Sequence, residues 1–235
     1  MPSSVSIIIP VYNEEANIFK TLLQVHTYLT ENLFDFEIIV VNDGSLDNTV
    51  KEVHKFKGAQ LIDNAINKGK GNAVKKGVMA ANKELILFMD ADHAIPIHYL
   101  SQFIQEIPAF DIIIGSKYIG ETKNYPFYRK IVGKIFSFLK FLIIGLEIKD
   151  TQCGFKLFKS KVAKDLFSHA QINGWCFDVE ILMIAQRKGY TTKESPISMS
   201  DINSISKINI FSSGIQMFLD LIKLRLDFKK GKYHL

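Results

Sequence analysis

Two aspartates at the end of a short apolar segment are the strongest candidates for chemistry in this chain of 235 residues. Asp90 and Asp92 follow the run Leu85–Met89 (LILFM), which is typical of a strand buried on both faces of a parallel sheet. Ligands bind beyond the carboxyl ends of such strands. Residues two apart in extended chain point the same way, so the two carboxylates repel unless a cation or protons lie between them. A hard divalent metal that also holds a diphosphate suits the pair, and a simple turn is the alternative.

A third carboxylate, Asp43, follows another apolar segment and stands ahead of Gly44. A carboxylate at the end of a buried strand can accept hydrogen bonds from a base or a ribose, as acidic residues do in dinucleotide-binding folds. Aspartate in this position also closes Asx turns, so the sequence leaves both roles open.

A basic, glycine-rich turn and the chain's one tryptophan supply two more candidates. The turn from Asn67 to Gly71 (NKGKG) can hold a diphosphate with backbone N–H groups and Lys70, but it does not match the P-loop, and a solvated loop is the alternative. Trp175 stands near Asp178. A tryptophan beside carboxylates can form a platform for a sugar, or it can fill a core or an interface.

The segments that carry these residues alternate between strand and helix patterns. The first half therefore predicts an α/β domain with a mostly parallel sheet flanked by helices. Right-handed crossovers bring the carboxyl ends of parallel strands to one edge, so the polar turns are expected to meet there. The predicted strands are 5–11, 36–41, 59–63, 85–89, 111–115, 155–158 and 191–199, and the predicted helices are 13–29, 49–56, 72–80, 96–107, 128–144, 179–188 and 210–226.

Charge and hydropathy favour anionic partners at a surface. The net charge is +5 and the pI about 9.0, a mild bias towards phosphates or a lipid surface. No apolar run is long enough to span a bilayer. The segments 128–144 and 210–226 combine apolar and basic residues, and a basic tail follows the second. Both are predicted to lie in a membrane interface as amphipathic helices; the alternative is that they cover the sheet or a partner subunit.

Seven motifs together resemble one family. Four of them resemble the inverting family 2 glycosyltransferases of the GT-A fold: SIIIPVYNEE (6–15), VVNDGSLDNT (40–49), NKGKGNA (67–73) and MDAD (89–92). Three others resemble the branch that loads polyprenyl or dolichyl phosphate with one sugar: GSK (115–117), DTQCGFK (150–156) and WCFDVE (175–180). The glucosyl enzymes are the closest match and the mannosyl enzymes the next. The resemblance covers nearly the whole chain and implies a single GT-A domain over 1–235, in which 1–115 binds the nucleotide sugar and 116–235 faces the acceptor and the membrane surface.

The resemblance also implies roles for individual residues. The metal motif would be Asp90 and Asp92, binding Mg²⁺ or Mn²⁺. The nucleotide sugar would be bound by Pro10, Tyr12, Glu14, Asp43, Lys70, Asp90 and Ala91. The acceptor phosphate would be bound by Lys117, Arg129 and Lys207, and the catalytic residues would be Asp92, Asp178 and Arg129.

The sequence departs from the family pattern at three positions. Ala94, which cannot ligate a metal, stands where some mannosyl relatives carry Gln. Lys117 and Gly133 stand where Arg and Ser are often seen, which changes the side chains available to the acceptor phosphate.

The activity implied is a metal-dependent, inverting transfer of one hexose, with glucose favoured, to polyprenyl or dolichyl phosphate. The expected donor is UDP-glucose, with GDP-mannose as the alternative; the expected location is cytoplasmic, peripheral on the cytosolic face of a membrane, and nucleic acid is not an expected partner. A phosphate monoester has a second pKa of about 6, so the acceptor is largely dianionic at neutral pH and needs no strong base. A transferase acting on a sugar hydroxyl would need one, and Asp178 is the candidate. A nucleotide-sugar binder without catalysis and a membrane-surface scaffold are the non-enzymatic alternatives.

Overall fold

A seven-stranded sheet organises the chain. The structure, a computed structural model, describes residues 4–32, 34–119, 137–138, 140–198 and 210–233. The strands are β1 (Ser4–Val11), β2 (Asp35–Asn42), β3 (Gln60–Asp63), β4 (Leu85–Met89), β5 (Ile112–Ser116), β6 (Phe155–Lys159) and β7 (Thr192–Pro196). Their order is β3-β2-β1-β4-β6-β5-β7, and only β6 is antiparallel to its neighbours. The prediction of an α/β fold with a mostly parallel sheet is confirmed.

Helices flank this sheet. They are α1 (Ile18–Glu31), α2 (Thr49–His54), α3 (Lys70–Ala80), α4 (Tyr99–Glu106), α5 (Ser160–His169), α6 (Phe177–Arg187) and α7 (Ile210–Lys229), with a short 3₁₀ helix at Ile107–Ala109. Of the predicted helix 128–144, residues 137–138 and 140–144 are helical, and the other residues lie outside the described ranges. None of the helices within those ranges is both long enough and apolar enough to cross a bilayer.

Four of the predicted helix starts differ from the structure, and one helix was not predicted; α4 begins at Tyr99 rather than 96, and α6 at Phe177 rather than 179. Asn13 does not cap α1, which begins at Ile18; Asn13 has a φ of 56°, and its side-chain oxygen accepts a hydrogen bond from the Leu46 N–H at 2.8 Å. The polar side chain therefore joins two loops instead of beginning a helix. Helix α3 begins at Lys70, two residues earlier than predicted, so Lys70 lies in its first turn. Helix α5 follows β6 directly and had no counterpart among the predicted elements.

The core lies on both faces of the sheet, and α3 packs unusually close to it. Every residue of β4 is buried, as the apolar run predicted. A side-chain carbon at Gly77 of α3 would lie 2.3 Å from Cγ2 of Ile8 in β1, so only glycine permits this approach. Close packing of α3 on β1 fixes the first turn of α3, and with it Lys70, at the carboxyl edge of the sheet.

The reversed direction of β6 determines which part of the second half reaches that edge. Because β6 runs antiparallel to β4, the start of β6 lies beside the end of β4, and Phe155 pairs with Met89. The Asp90 N–H donates to the Gly154 carbonyl at 3.0 Å. The polar segment before β6 is thereby placed against the two aspartates.

Candidate active site

The loops after β1 and β2 form one hydrogen-bonded unit. The Asn13 N–H donates to the Ser45 hydroxyl at 2.9 Å, and the Glu14 N–H donates to the Thr49 hydroxyl at 2.8 Å. These contacts join the motifs 6–15 and 40–49, which are far apart in the sequence. The edge of the sheet beside β4 is therefore held in place before any ligand arrives.

The buried carboxylate of Asp43 extends this unit to the basic turn. Its side chain is nearly inaccessible, and its two oxygens accept the backbone N–H groups of Lys68 at 2.9 Å and Gly69 at 2.8 Å. Asn64 adds a side-chain hydrogen bond at 3.3 Å. Asp43 thus shapes the loop that leads into α3, and its contact with a nucleoside stays a prediction.

The basic turn in turn packs against the segment before α6. Gly69 has a φ of +98°, and a side-chain carbon there would lie 2.4 Å from the Asn173 carbonyl oxygen. The Gly71 N–H donates to the same oxygen at 2.7 Å. This contact brings Trp175 beside the start of α3.

Lys70 forms an ion pair with the first aspartate of the motif. Its Nζ lies 2.6 Å from Asp90 Oδ1 and 5.3 Å from the ring centroids of both Phe88 and Trp175. Burial disfavours the charge on Lys70, but nearby carboxylates, Asp90 foremost, outweigh it and raise the pKa of Lys70. A fixed ammonium group therefore lies where a diphosphate beside Asp90 would need positive charge.

Gly154 sets the position of the same carboxylate. A side-chain carbon at this position would lie 1.9 Å from Asp90 Oδ2, a distance at which two atoms cannot coexist. Asp90 thus has one oxygen on Lys70 and the other against the backbone of Gly154. The motif 150–156 thus positions the acidic pair, because the glycine at 154 leaves space for the Asp90 carboxylate.

The second aspartate of the motif carries charge that its surroundings resist. Burial raises the pKa of Asp92, and the negative charge of Asp90 adds to the rise, although the Ala94 N–H donates to Asp92 Oδ1 at 3.0 Å. Burial also raises the pKa of Glu14, and both aspartates contribute. The three carboxylates therefore favour additional positive charge beyond that of Lys70.

The donor set fits a divalent cation shared with a substrate. Within the described ranges, no group of three or more His, Cys, Asp and Glu side chains is arranged to hold a metal. Asp90 and Asp92 offer hard oxygen ligands, and Mg²⁺ typically binds one or two carboxylates and takes its other ligands from phosphates and water. A cation here would be held jointly by the protein and a diphosphate.

Lys117 faces the acidic pair from the next strands of the sheet. A pocket beside Asp90 and Asp92 is lined also by Lys117, Gln152 and Gly154. The Lys117 N–H donates to Asp150 Oδ2 at 3.0 Å, and its Nζ lies 3.7 Å from that oxygen. The structure thus brings one of the three predicted acceptor-phosphate residues to the metal motif.

Asp178 lies behind the site in a buried ion pair. Its side chain is 4% exposed, and Lys156, itself buried, donates to Asp178 Oδ1 and to the Cys153 carbonyl. Burial raises the pKa of Asp178, while the charges of Lys156 and Lys70 oppose the rise. The contacts of Asp178 are those of a structural counter-ion, and a catalytic role for it stays a prediction.

The other predicted site residues lie at the end of β1, between the two aspartates, or outside the described ranges. Tyr12 is exposed just beyond β1, and Pro10 is half-buried near the end of that strand. Ala91 is buried, and its carbonyl accepts the Thr21 hydroxyl at 2.7 Å. Arg129 and Lys207 lie outside the described residues.

Comparison with protein families decides the class of the molecule. The family model for glycosyl transferase family 2 matches residues 6–167, a span that includes β1 to β6 and both aspartates of the metal motif. The chain belongs to glycosyl transferase family 2.

Relatives of this glycosyltransferase match almost its whole length. A dolichyl-phosphate beta-glucosyltransferase of Trichomonas vaginalis is 38% identical over 251 residues, which cover 98% of this chain and 74% of that protein. The dolichyl-phosphate beta-glucosyltransferase of Homo sapiens is 32% identical over 251 residues, which cover 98% of this chain and 77% of that protein.

Solved structures show the same fold at low sequence identity. Mannosyl-3-phosphoglycerate synthase from Rubrobacter xylanophilus superposes with a TM-score of 0.72 and 13% identity, over 98% of this chain and 75% of that one. Glucosyl-3-phosphoglycerate synthase from Mycobacterium tuberculosis, solved with Mn²⁺, UDP-glucose and phosphoglyceric acid, superposes with a TM-score of 0.69 and 16% identity, over 96% of this chain and 79% of that one. The expected GT-A fold is confirmed.

Sequence reasoning missed two residues that shape the site of this glycosyltransferase. Gly154 and Lys156 stood within the quoted motif 150–156 but received no role. A lysine between apolar residues in the strand FKLFK was the available signal for Lys156, because a buried charge needs a partner. The crowding at Gly154 depends on the pairing of β6 with β4, which no local pattern reveals.

We predict that Gly154→Ala weakens metal binding without unfolding the protein. The added methyl group must displace the Asp90 carboxylate. Forced displacement in a packed site costs about 1–3 kcal/mol, so the affinity for Mn²⁺ in the presence of UDP should fall about 5- to 150-fold. Electron paramagnetic resonance of free Mn²⁺ measures this, with thermal melting as a check on folding.

Gly174→Ala is the matched control. A side-chain carbon at Gly174 meets nothing within 4 Å, so this variant should bind Mn²⁺ as the wild type does. If Gly154→Ala and Gly174→Ala bind the ion equally well, Gly154 does not position Asp90.

Proposed function

We propose that this glycosyltransferase transfers glucose from UDP-glucose to dolichyl or polyprenyl phosphate, with inversion and with the help of Mg²⁺ or Mn²⁺. One observation carries the proposal: the dolichyl-phosphate beta-glucosyltransferases match 96–99% of this chain at 32–38% identity, including both halves of the site. The geometry supports it because Lys70, beside Asp90, offers positive charge to the donor diphosphate, and Lys117 offers positive charge to the acceptor phosphate.

The donor diphosphate is proposed to bind beside the acidic pair. Asp90 and Asp92 would hold the divalent cation, which when bound neutralises the charge that develops on the leaving nucleotide diphosphate. Lys70 supplies a further positive charge and is held in place by its ion pair and by two aromatic rings. A preorganised positive charge lowers the barrier because it needs no reorientation during the reaction.

The acceptor phosphate is proposed to enter the pocket lined by Lys117 and Gln152. Lys117 lines this pocket and is anchored to Asp150 through its backbone N–H, with its ammonium group 3.7 Å from the same carboxylate. A dianionic phosphate oxygen is already a nucleophile, and this chemistry asks for orientation and charge neutralisation more than for a base.

The state of Asp178 favours a phosphate acceptor over a sugar hydroxyl. A hydroxyl acceptor needs a carboxylate that can approach it and take its proton. Asp178 is buried and paired with Lys156, which leaves it poorly placed for that task. The alternative donor, GDP-mannose, receives less support, because the relatives that match 96–99% of this chain at 32–38% identity carry the glucosyltransferase name.

The protein is proposed to reach its lipid acceptor as a peripheral protein on the cytosolic face of a membrane. Two helical segments carry exposed apolar side chains: Phe138, Phe141 and Leu142 in residues 137–144, and Phe218, Leu219, Ile222 and Leu226 in α7. Arg225 donates to the Ile143 carbonyl, so the two segments are neighbours. Lysines on and after α7 would meet anionic headgroups, each adding about 1 kcal/mol near such a surface.

A transfer assay tests the reaction. We predict that label from radioactive UDP-glucose enters the organic phase when Mg²⁺ and dolichyl phosphate are present, and that labelled GDP-mannose is used much less. Lys117→Ala should lower kcat/KM about 10- to 100-fold, because a charged hydrogen bond to the acceptor contributes about 1.5–3 kcal/mol.

Lys161→Ala, an exposed change in α5, should leave the rate unchanged. Preferred use of GDP-mannose would replace the glucosyl assignment by the mannosyl one. Label that appears only in a water-soluble saccharide would indicate a sugar-hydroxyl acceptor, and binding of UDP-glucose without any transfer would indicate a non-catalytic protein.

Liposome sedimentation tests the membrane proposal. We predict salt-sensitive binding to liposomes that contain anionic lipid, and a loss of binding of at least about tenfold in the double variant Phe138→Glu, Phe141→Glu, because two charges would have to enter the acyl boundary. Leu23→Glu, an exposed apolar position on α1, is the control. A wild-type protein that stays in the supernatant at low salt contradicts the proposal.

A further inference from the structure

The chain's one tryptophan lies at the site, exposed to solvent and outside the hydrophobic core. Trp175 lies just before α6, and its side chain is 45% exposed. Its ring centroid lies 5.3 Å from Nζ of Lys70, which in turn lies 2.6 Å from Asp90 Oδ1. A large apolar face is therefore presented to solvent one side chain away from the metal motif.

Hydrogen bonds hold the backbone segment that leads to this ring. The buried carboxylate of Glu180 accepts the backbone N–H groups of Gln171 at 2.9 Å and Ile172 at 3.0 Å. The next residue, Asn173, receives the N–H of Gly71 through its carbonyl. The segment that leads to Trp175 is thus fixed on two sides, and the ring itself contacts Lys70.

The order of the strands shows which part of a donor the ring can meet. Asp43 follows β2, the loop with Glu14 follows β1, and Asp90 follows β4, which is two strands away from β2. Trp175 contacts Lys70, and Lys70 is paired with Asp90 at the β4 end. A donor with its nucleoside at β1 and β2 and its diphosphate at Lys70 would bring its third part, the hexose, to this end.

We propose that Trp175 is the platform on which the hexose of the donor packs, an inference that rests on the proposed function. The C–H face of a hexose is apolar and covers an aromatic ring well, and the ring carries negative charge on its face. That charge suits Lys70 on one side and the electron-poor C–H groups of a sugar on the other. Trp175 then contributes affinity for the sugar and not for the nucleotide.

The single tryptophan allows a direct test by fluorescence. With Mg²⁺ present, UDP-glucose should shift the emission of the wild-type protein to shorter wavelength, because the sugar covers the ring, whereas UDP should change it much less. Equal changes with the two ligands, or no change with bound UDP-glucose, would overturn the proposal.

Calorimetry with matched variants gives the second readout. Trp175→Leu should weaken UDP-glucose binding at least about fivefold and change UDP binding less than about twofold, while Trp175→Phe should retain most of the affinity. Phe19→Leu, which also replaces a partly exposed aromatic ring, should bind both ligands as the wild type does.

The outcomes separate this inference from the proposed function. If the wild-type protein binds and transfers glucose but Trp175→Leu loses UDP and UDP-glucose equally, or loses neither, the platform is wrong and the function stands. If the wild-type protein binds neither ligand, the function and the platform both fail. Thermal melting confirms that each variant is folded.

Discussion

Two lysine–carboxylate ion pairs beside the ring of Phe88 determine how the site is built. Lys70 pairs with Asp90 and Lys156 pairs with Asp178, and both ammonium groups lie 5.3 Å from the centroid of Phe88. Moving a charge out of water costs several kcal/mol, so removing Lys156 would leave the buried Asp178 carboxylate unpaired, whereas Asp90 keeps partial contact with solvent. The two pairs join the end of β4 to the start of α3, the strand β6 and the start of α6.

This dependence joins the two halves of the molecule. The carboxyl edge of β1, β2 and β3 is held by hydrogen bonds between loops, with Asp43 fixing the turn before α3. The second half reaches the same edge at Gly154, whose carbonyl accepts the Asp90 N–H. The Tyr233 hydroxyl, just after α7, donates a hydrogen bond of 2.5 Å to Glu180. A site supported from all sides holds its charges in position before the substrate binds, which is what a reaction driven by orientation and electrostatics requires.

Much of this could be predicted from the sequence because the first half follows local rules. The buried run 85–89 ending in two aspartates, the alternation of strand and helix, and the basic turn at 67–71 each have a pattern that depends on neighbouring residues. The contacts that were missed depend on partners far away in the chain. Asn13 looked like a helix cap but bonds to Leu46, and the pairing of Asp178 with Lys156 joins residues 22 positions apart.

The second half was harder to predict because β6 breaks the parallel order. A strand that runs against its neighbours brings its first residues, not its last, to the site, and the sequence gives no sign of direction. The crowding at Gly154 follows from that direction. The resemblance to a known family identified the motif 150–156, but the pairing of β6 with β4 explains why glycine stands at position 154.

The central claim is that Asp90 and Asp92 bind the donor diphosphate through a divalent cation, and calorimetric titration with UDP tests it most directly. The account predicts that UDP binds with Mg²⁺ or Mn²⁺ and that EDTA removes most of the affinity. It also predicts that Asp92→Asn, in a protein that melts like the wild type, weakens the metal-dependent binding about 10- to 100-fold, the effect of losing a charged ligand worth about 1.5–3 kcal/mol. Equal UDP affinity with and without the metal, or in the wild type and Asp92→Asn, would contradict the account.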